Sequence, residues 1–85
     1  MTPDELVPLY GFVQGDTLGL LVLVRSTDLV QKLVATLQEA AQVRVAPSAR
    51  ASVYHEKKKL RPELTIAAAG LTPLTRVDLV TESEP

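Results

Sequence analysis

Residues 64–80 read LTIAAAGLTPLTRVDLV. The stretch opens apolar, runs through three alanines to Gly70, turns at Thr72-Pro73 and closes on the alternating TRVDLV of 75–80. Thr65 stands before a single helical turn, IAAAG, which Gly70 can end in the left-handed conformation that glycine adopts without penalty. The turn then delivers the chain into a last strand with Val77 and Leu79 inward. Such a device places a final strand beside one made much earlier, so the rest of the chain is read from this end outward.

The earlier strands lie in LYGFVQGDTLGLLVLVR, residues 9–25. Two β-rich runs flank Gly15-Asp16, and a glycine-first pair suits a two-residue hairpin turn of type II′. That turn pairs Gln14 with Thr17, Val13 with Leu18, Phe12 with Gly19, Gly11 with Leu20, Tyr10 with Leu21 and Leu9 with Val22. One face of the hairpin collects Val7, Leu9, Val13, Leu18, Leu20, Val22 and Val24 and is assigned to the core. The other collects Tyr10, Phe12, Leu21 and Leu23, with the Phe12 ring over Gly19, since an aromatic commonly covers a bare glycine in a sheet.

Between the hairpin and the closing strand, STDLVQKLVATLQEAAQ puts Leu29, Val30, Leu33, Val34, Leu37, Ala40 and Ala41 on one helical face. Asp28 is placed to cap this one long helix, with Gln31 in the reciprocal position and Thr27 as the competing cap. VRVAPSARAS reads as a loop because Pro47 and small polar residues interrupt any regular pattern. ASVYHEKK alternates as a third strand, with Val53 and His55 on one face and Tyr54 and Glu56 on the other. LRPEL is a turn. The order strand, strand, helix, strand, helical turn, strand defines an α+β arrangement with one helix-covered sheet face.

Composition bounds the function. The 85 residues suit a single domain, 1–85, with 1–5 and 82–85 expected to be flexible ends, and 46% hydrophobic content supports a modest core. A net charge of −1 gives no general argument for nucleic acid. The absence of cysteine excludes disulfides and thiolate zinc sites and fits a cytoplasmic location. Leu18–Val24 is far shorter than the roughly 20 apolar residues that span a bilayer. The opening MTPDELVP carries acids where an export signal needs bases, so neither membrane nor export is expected.

The strand order, the single helix between strands two and three, and LTIAAAGLTPLTRVDLV resemble the ubiquitin-like β-grasp fold over roughly residues 9–80. That resemblance implies a mixed four- to five-stranded sheet packed on one long helix, with the last strand parallel to the first. YGFVQGDTLGLLVLV, VRVAP after the helix and the same closing stretch are together similar to the toluene monooxygenase system protein B family. This resemblance implies a non-catalytic small subunit of a bacterial multicomponent di-iron hydroxylase acting on aromatic or other hydrocarbons. In that family the large subunit holds the iron and activates dioxygen, the small subunit sits on its surface, and a reductase, a Rieske ferredoxin and an effector protein complete the system.

The residues are consistent with a chain that performs no chemistry alone. A helical carboxylate di-iron site draws on several helices and two Glu-x-x-His pairs; this chain has one predicted long helix, one histidine, and Ser52 three residues before it. His55 therefore reads as an ordinary residue near the sheet edge. Ser26, Ser48 and Ser52 lie in no nucleophile-elbow context. The glycines of GDTLG belong to a hairpin rather than to a phosphate-binding helix start. No cofactor and no direct small-molecule substrate are expected. Lys57–Lys59 reads as a solvated strand end rather than a docking patch.

Tyr10, Phe12, Leu21 and Leu23 are the candidate partner-binding residues. A soluble monomer seldom exposes four large apolar side chains on one sheet face, so an interface is expected there, with the large hydroxylase subunit as partner. The competing readings are that the two sheet faces are assigned the wrong way round, that the N-terminal segment and the VRVAPSAR loop fold over this face, or that the edge around Tyr54 and Lys57 docks instead. The alternative function is a free-standing ubiquitin-like interaction adaptor. Conjugation is disfavoured because Gly70 is the last glycine and the chain reads VTESEP after Leu79.

Overall fold

The computed structural model describes residues 5–46 and 50–81. Residues 1–4 and 82–85, within the ends expected to be flexible, lie outside the described residues, as does the Pro47 part of the VRVAPSARAS loop. The elements run β1 (Leu6–Val13), β2 (Gly19–Arg25), α1 (Val30–Ala41), β3 (Ala51–His55), β4 (Lys58–Lys59) and β5 (Thr75–Thr81). They build one five-stranded sheet in the order β2-β1-β5-β3-β4. β5 runs parallel to β1 and antiparallel to β3, so the closing stretch does lay the last strand beside the first.

The hairpin register is the expected one, with Leu9 opposite Val22, Tyr10 opposite Leu21 and Phe12 opposite Gly19. Its turn is not the expected one. The two strands part after the Phe12–Gly19 pair, and the Asp16 N–H donates to Val13 O at 2.9 Å, so Gly15 takes the third turn position at φ 90°. The Gln14 N–H leaves the hairpin and donates to Leu79 O at 2.8 Å on β5, which is why it cannot also pair with Thr17. The longer loop carries Leu18 off the core face, and it is 52% exposed rather than buried.

The helix starts at Val30, and Leu29 rather than Asp28 or Thr27 occupies the cap position, without a side-chain hydrogen bond. Its first donors are satisfied by backbone: Val30 N–H donates to Leu64 O at 2.7 Å and Gln31 N–H to Pro62 O at 3.1 Å. Asp28 is engaged elsewhere. Its carboxylate accepts the Arg25 N–H at 2.8 Å and its carbonyl accepts the Ile66 N–H at 2.8 Å, so the turn before the helix is tied to the 62–66 segment. Val30, Leu33, Leu37 and Ala41 face the sheet, whereas Leu29 is only half-buried and Ala40 is exposed.

The core joins these helix residues to Val7, Leu9, Val13, Val22, Val24, Val53, Val77 and Leu79, with Ile66 and Leu71 closing one end. Gly11 belongs to this face. A Cβ there would collide with the side chain of Leu37, so a glycine lets the helix settle directly on β1. The segment 66–70 forms turns rather than a regular helix. Thr65 Oγ1 accepts the Ala68 N–H at 3.0 Å, Leu71 N–H reaches back to Ile66 O at 3.2 Å, and Gly70 holds φ 77°, as a left-handed terminator should.

β3 ends at His55, short of the expected ASVYHEKK strand. Glu56 and Lys57 both take positive φ, 51° and 67°, and the chain folds back to pair Lys58 with His55 and Lys59 with Tyr54. Two successive left-handed residues define a type I′ turn, which ends the strand early.

Candidate functional site

The sheet has one face on the helix and one outside. Period-two alternation and the register put Leu6, Pro8, Tyr10 and Phe12 of β1 on the outer face with Gly19, Leu21, Leu23 and Arg25 of β2. The same register brings Arg76 beside Tyr10 and Asp78 beside Phe12 on β5, and Tyr54 beside Asp78 on β3. All four expected interface residues therefore share one surface. Leu21, Leu23 and Tyr10 are 60%, 61% and 45% exposed, and Phe12 is half-buried.

Phe12 is less open because it is covered from two sides. A Cβ on Gly19 would lie 3.0 Å from the Phe12 ring, so the ring does rest over that glycine. The Arg76 guanidinium lies 4.2 Å from the ring centroid and 3.2 Å from the Asp78 carboxylate. Aromatic, cation and anion thus form a fixed set at the middle of the face. Leu6 and Leu74 are further exposed apolar residues that the sequence reading left out. Leu6 continues the outward positions of Pro8, Tyr10 and Phe12, so a strand extended to residue 6 is the signal that finds it.

The described part of the VRVAPSAR loop does not lie over this surface. Val45 packs against the core, and the Arg44 side chain grips Asp16 through Nε, at 3.0 Å to Oδ1 and 2.9 Å to Oδ2. The Asp16 side chain is only 1% exposed. That shielding works against its charge, but the Leu18 N–H and Arg44 more than compensate and hold the carboxyl below its ordinary range. This ion pair fastens the hairpin loop to the end of α1.

The remaining residues singled out above are scattered. His55 ends β3 and is half-buried beside the edge strand, while Lys57, Lys58 and Lys59 are exposed in the turn and on β4. Lysines on an outer strand discourage edge-to-edge pairing with other sheets. Among the described residues no group of three or more His, Cys, Asp or Glu could hold a metal ion. No helix among them is long and apolar enough to cross a membrane. A recess bordered by Val7, Ala67, Leu71 and Pro73 also holds Glu5 and Ser26, whose hydroxyl is engaged as acceptor of the Glu5 N–H at 3.0 Å.

A mixed sheet with parallel first and last strands, one helix across one face and an open apolar surface on the other makes this a ubiquitin-like β-grasp protein. Solved structures agree: a designed protein based on ubiquitin is 20% identical with a TM-score of 0.81, covering 95% of this chain and 94% of that one. A ubiquitin of Caldiarchaeum subterraneum is 14% identical with a TM-score of 0.75, covering 94% and 98%. The family model for toluene-4-monooxygenase system protein B matches residues 6–80, and the chain belongs to that family. It is therefore an accessory component of a monooxygenase system. A chain from a structure described as the toluene 4-monooxygenase HD complex with the inhibitor 4-bromobenzoate is 26% identical, with a TM-score of 0.84, and the match covers 92% of this chain and all of that one. No curated protein matched the chain.

Proposed function

We propose that this chain is the non-catalytic small subunit of a bacterial multicomponent di-iron monooxygenase, and that in the cytoplasm it docks on the large, iron-holding hydroxylase subunit through its outer sheet face. The observation that carries the reading is the exposed apolar surface of Tyr10, Leu21 and Leu23 on a chain of this family. A similar chain occurring within a toluene 4-monooxygenase complex supports it. Dioxygen activation and hydrocarbon oxidation are assigned to the large subunit. The small chain contributes a rigid surface, because strands β1, β2 and β5 fix the spacing of the face and the helix behind fixes its curvature.

The test is binding of the purified chain to the large subunit, for the parent and for Leu21→Lys. A lysine in a closed interface leaves an unpaired charge, and removal of a central anchor costs about 2 kcal/mol, or roughly thirtyfold in affinity. Leu21 points away from the helix, so the melting temperature should not change. A Leu21→Lys chain that folds and binds as the parent does would exclude this face and move the search to the β3–β4 edge at Tyr54 and Lys57. A parent chain with no affinity for the large subunit would favour a free-standing adaptor.

A further inference from the structure

The outer face continues past β1 and β2. The Leu74 N–H donates to Pro8 O at 2.6 Å, which puts Leu74 beside Pro8, and Pro8 pairs with Leu23. Two residues further along, Leu21, Tyr10 and Arg76 make the neighbouring row across the same three chain segments.

Leu74 is an odd residue for its position. It is the third residue of a turn from Thr72 to Thr75, closed by the Thr75 N–H donating to Thr72 O at 3.2 Å and by a 2.9 Å contact between the two threonine hydroxyls. With Pro73 before it and φ at 64°, Leu74 fills the place where a type II turn takes glycine or asparagine. A leucine there is disfavoured in its backbone, and its side chain is 60% exposed and outside the core cluster. Neither the turn nor the core needs that side chain. Strain held at an exposed residue points to a use outside the fold.

Arg76 gives the second observation. Its guanidinium lies over the Phe12 ring and pairs with Asp78, yet the side chain remains 66% exposed. A planar fork with donors to spare, fixed before binding, is suited to a carboxylate. Among the described residues the face also carries Arg25 beside Leu6, Lys59 beside Tyr54 and the acid Asp78 beside Phe12.

We propose that Leu74 and Arg76 extend the β1–β2 face into one docking surface, made for a protein partner with an apolar centre and a carboxylate that meets Arg76. The inference rests on the docking reading above and specifies the partner's side of it: the contacting surface of the large hydroxylase subunit is apolar with an acidic residue opposite β5.

The experiment titrates the full chain onto the purified large subunit at low and high salt. It compares the parent with Leu74→Gly, Leu74→Asn, Arg76→Gln and Leu21→Lys, and melts each chain alone. Glycine and asparagine both accept the left-handed backbone, so both Leu74 variants should melt no lower than the parent while binding about tenfold more weakly. Arg76→Gln should weaken binding and flatten its salt dependence. If both Leu74 variants bind as the parent does while Leu21→Lys does not, the surface ends at β2 and the inference fails with the docking reading intact. Parental binding by all four variants would remove the docking reading itself. Leu74 variants that melt lower would assign the residue to the fold, and Arg76→Gln with parental affinity and salt dependence would eliminate the carboxylate; either overturns the proposal. Self-association of the isolated chain that Leu74→Gly abolishes would give the surface to a second copy and overturn it as well.

Discussion

Gly11→Ala tests how closely the helix is seated on the sheet. Gly11 lies in the middle of β1, between Leu20 on β2 and Val77 on β5, and its backbone is not in the left-handed region, so alanine is conformationally acceptable. The space is not. An added Cβ would overlap Leu37 Cδ2 and approach Cδ1 and Cγ to 3.3 Å. Leu37 is 0% exposed and has no solvent to swing into, so the helix or the strand must give way. Overpacking of this kind costs about 1–3 kcal/mol. A less flexible unfolded chain returns about 0.4–1 kcal/mol, which leaves a net loss of about 1–2 kcal/mol. For a domain of this size that is a fall in melting temperature on the order of 5–15 °C. Urea unfolding followed by far-ultraviolet circular dichroism suits a chain without tryptophan, and the dependence on urea should keep its slope while the midpoint drops. Leu37→Ala alone should cost about 2–5 kcal/mol through the cavity it leaves. The alanine methyl at position 11 would occupy part of that cavity, so the double variant should lose less than the two single losses added, by about 0.5–3 kcal/mol. An unchanged midpoint in Gly11→Ala, or strict additivity in the double variant, would refute the direct contact between the glycine and the helix.

Leu33→Ala should destabilise the domain by about 2–5 kcal/mol, because Leu33 is fully buried at the centre of the helix face; an unchanged urea midpoint would remove it from the core. Replacing Glu56-Lys57 by Asn-Gly should raise stability by about 1 kcal/mol, since both positions need positive φ, and a lower melting temperature would contradict the turn assignment. Asp16→Asn bears on pH. The folded carboxyl lies below its ordinary value of 3.8, so its stabilisation is complete above that value and is lost as pH falls through the lower folded one. The difference in urea midpoint between parent and variant should therefore close on acidification, and a difference that stays constant into strong acid would count against the Asp16–Arg44 pair.

The hairpin register was legible in the sequence because a phenylalanine opposite a glycine marks it, although β1 and β2 are apolar on both faces; the inward face of β5 was legible because TRVDLV alternates at period two. The helix face was legible for the same reason at period 3.6. The helix start was not: Asp28 has the right chemistry for a cap, but the donors at that end meet the carbonyls of Pro62 and Leu64, a long-range contact that no local pattern reveals. A two-residue turn puts Leu18 on the wrong face, and the competing claim of Leu79 on the Gln14 N–H that lengthens the loop is again non-local. Of the outer face, the four β1–β2 residues followed from alternation. Leu74 did not, since it sits in a turn at a conformation that composition gives no reason to assign to leucine.

The place of β5 governs how this chain can be made. β1 and β2 bond to one side of it and β3 and β4 to the other, so no hydrogen bond of the sheet joins the two pairs without it. A nascent chain interrupted before Thr75 would consist of two separate hairpins and a helix with only part of its seat. The contacts that close the sheet link residues as far apart in sequence as Leu9 and Thr75, which makes the search slow compared with a helical bundle of similar length. Folding is accordingly completed only after synthesis has passed Thr81, and the row Leu21–Tyr10–Arg76 comes into being at that same moment. Unfinished chains therefore lack the assembled surface, and under the docking proposed above the order of synthesis would itself screen which molecules can enter a complex.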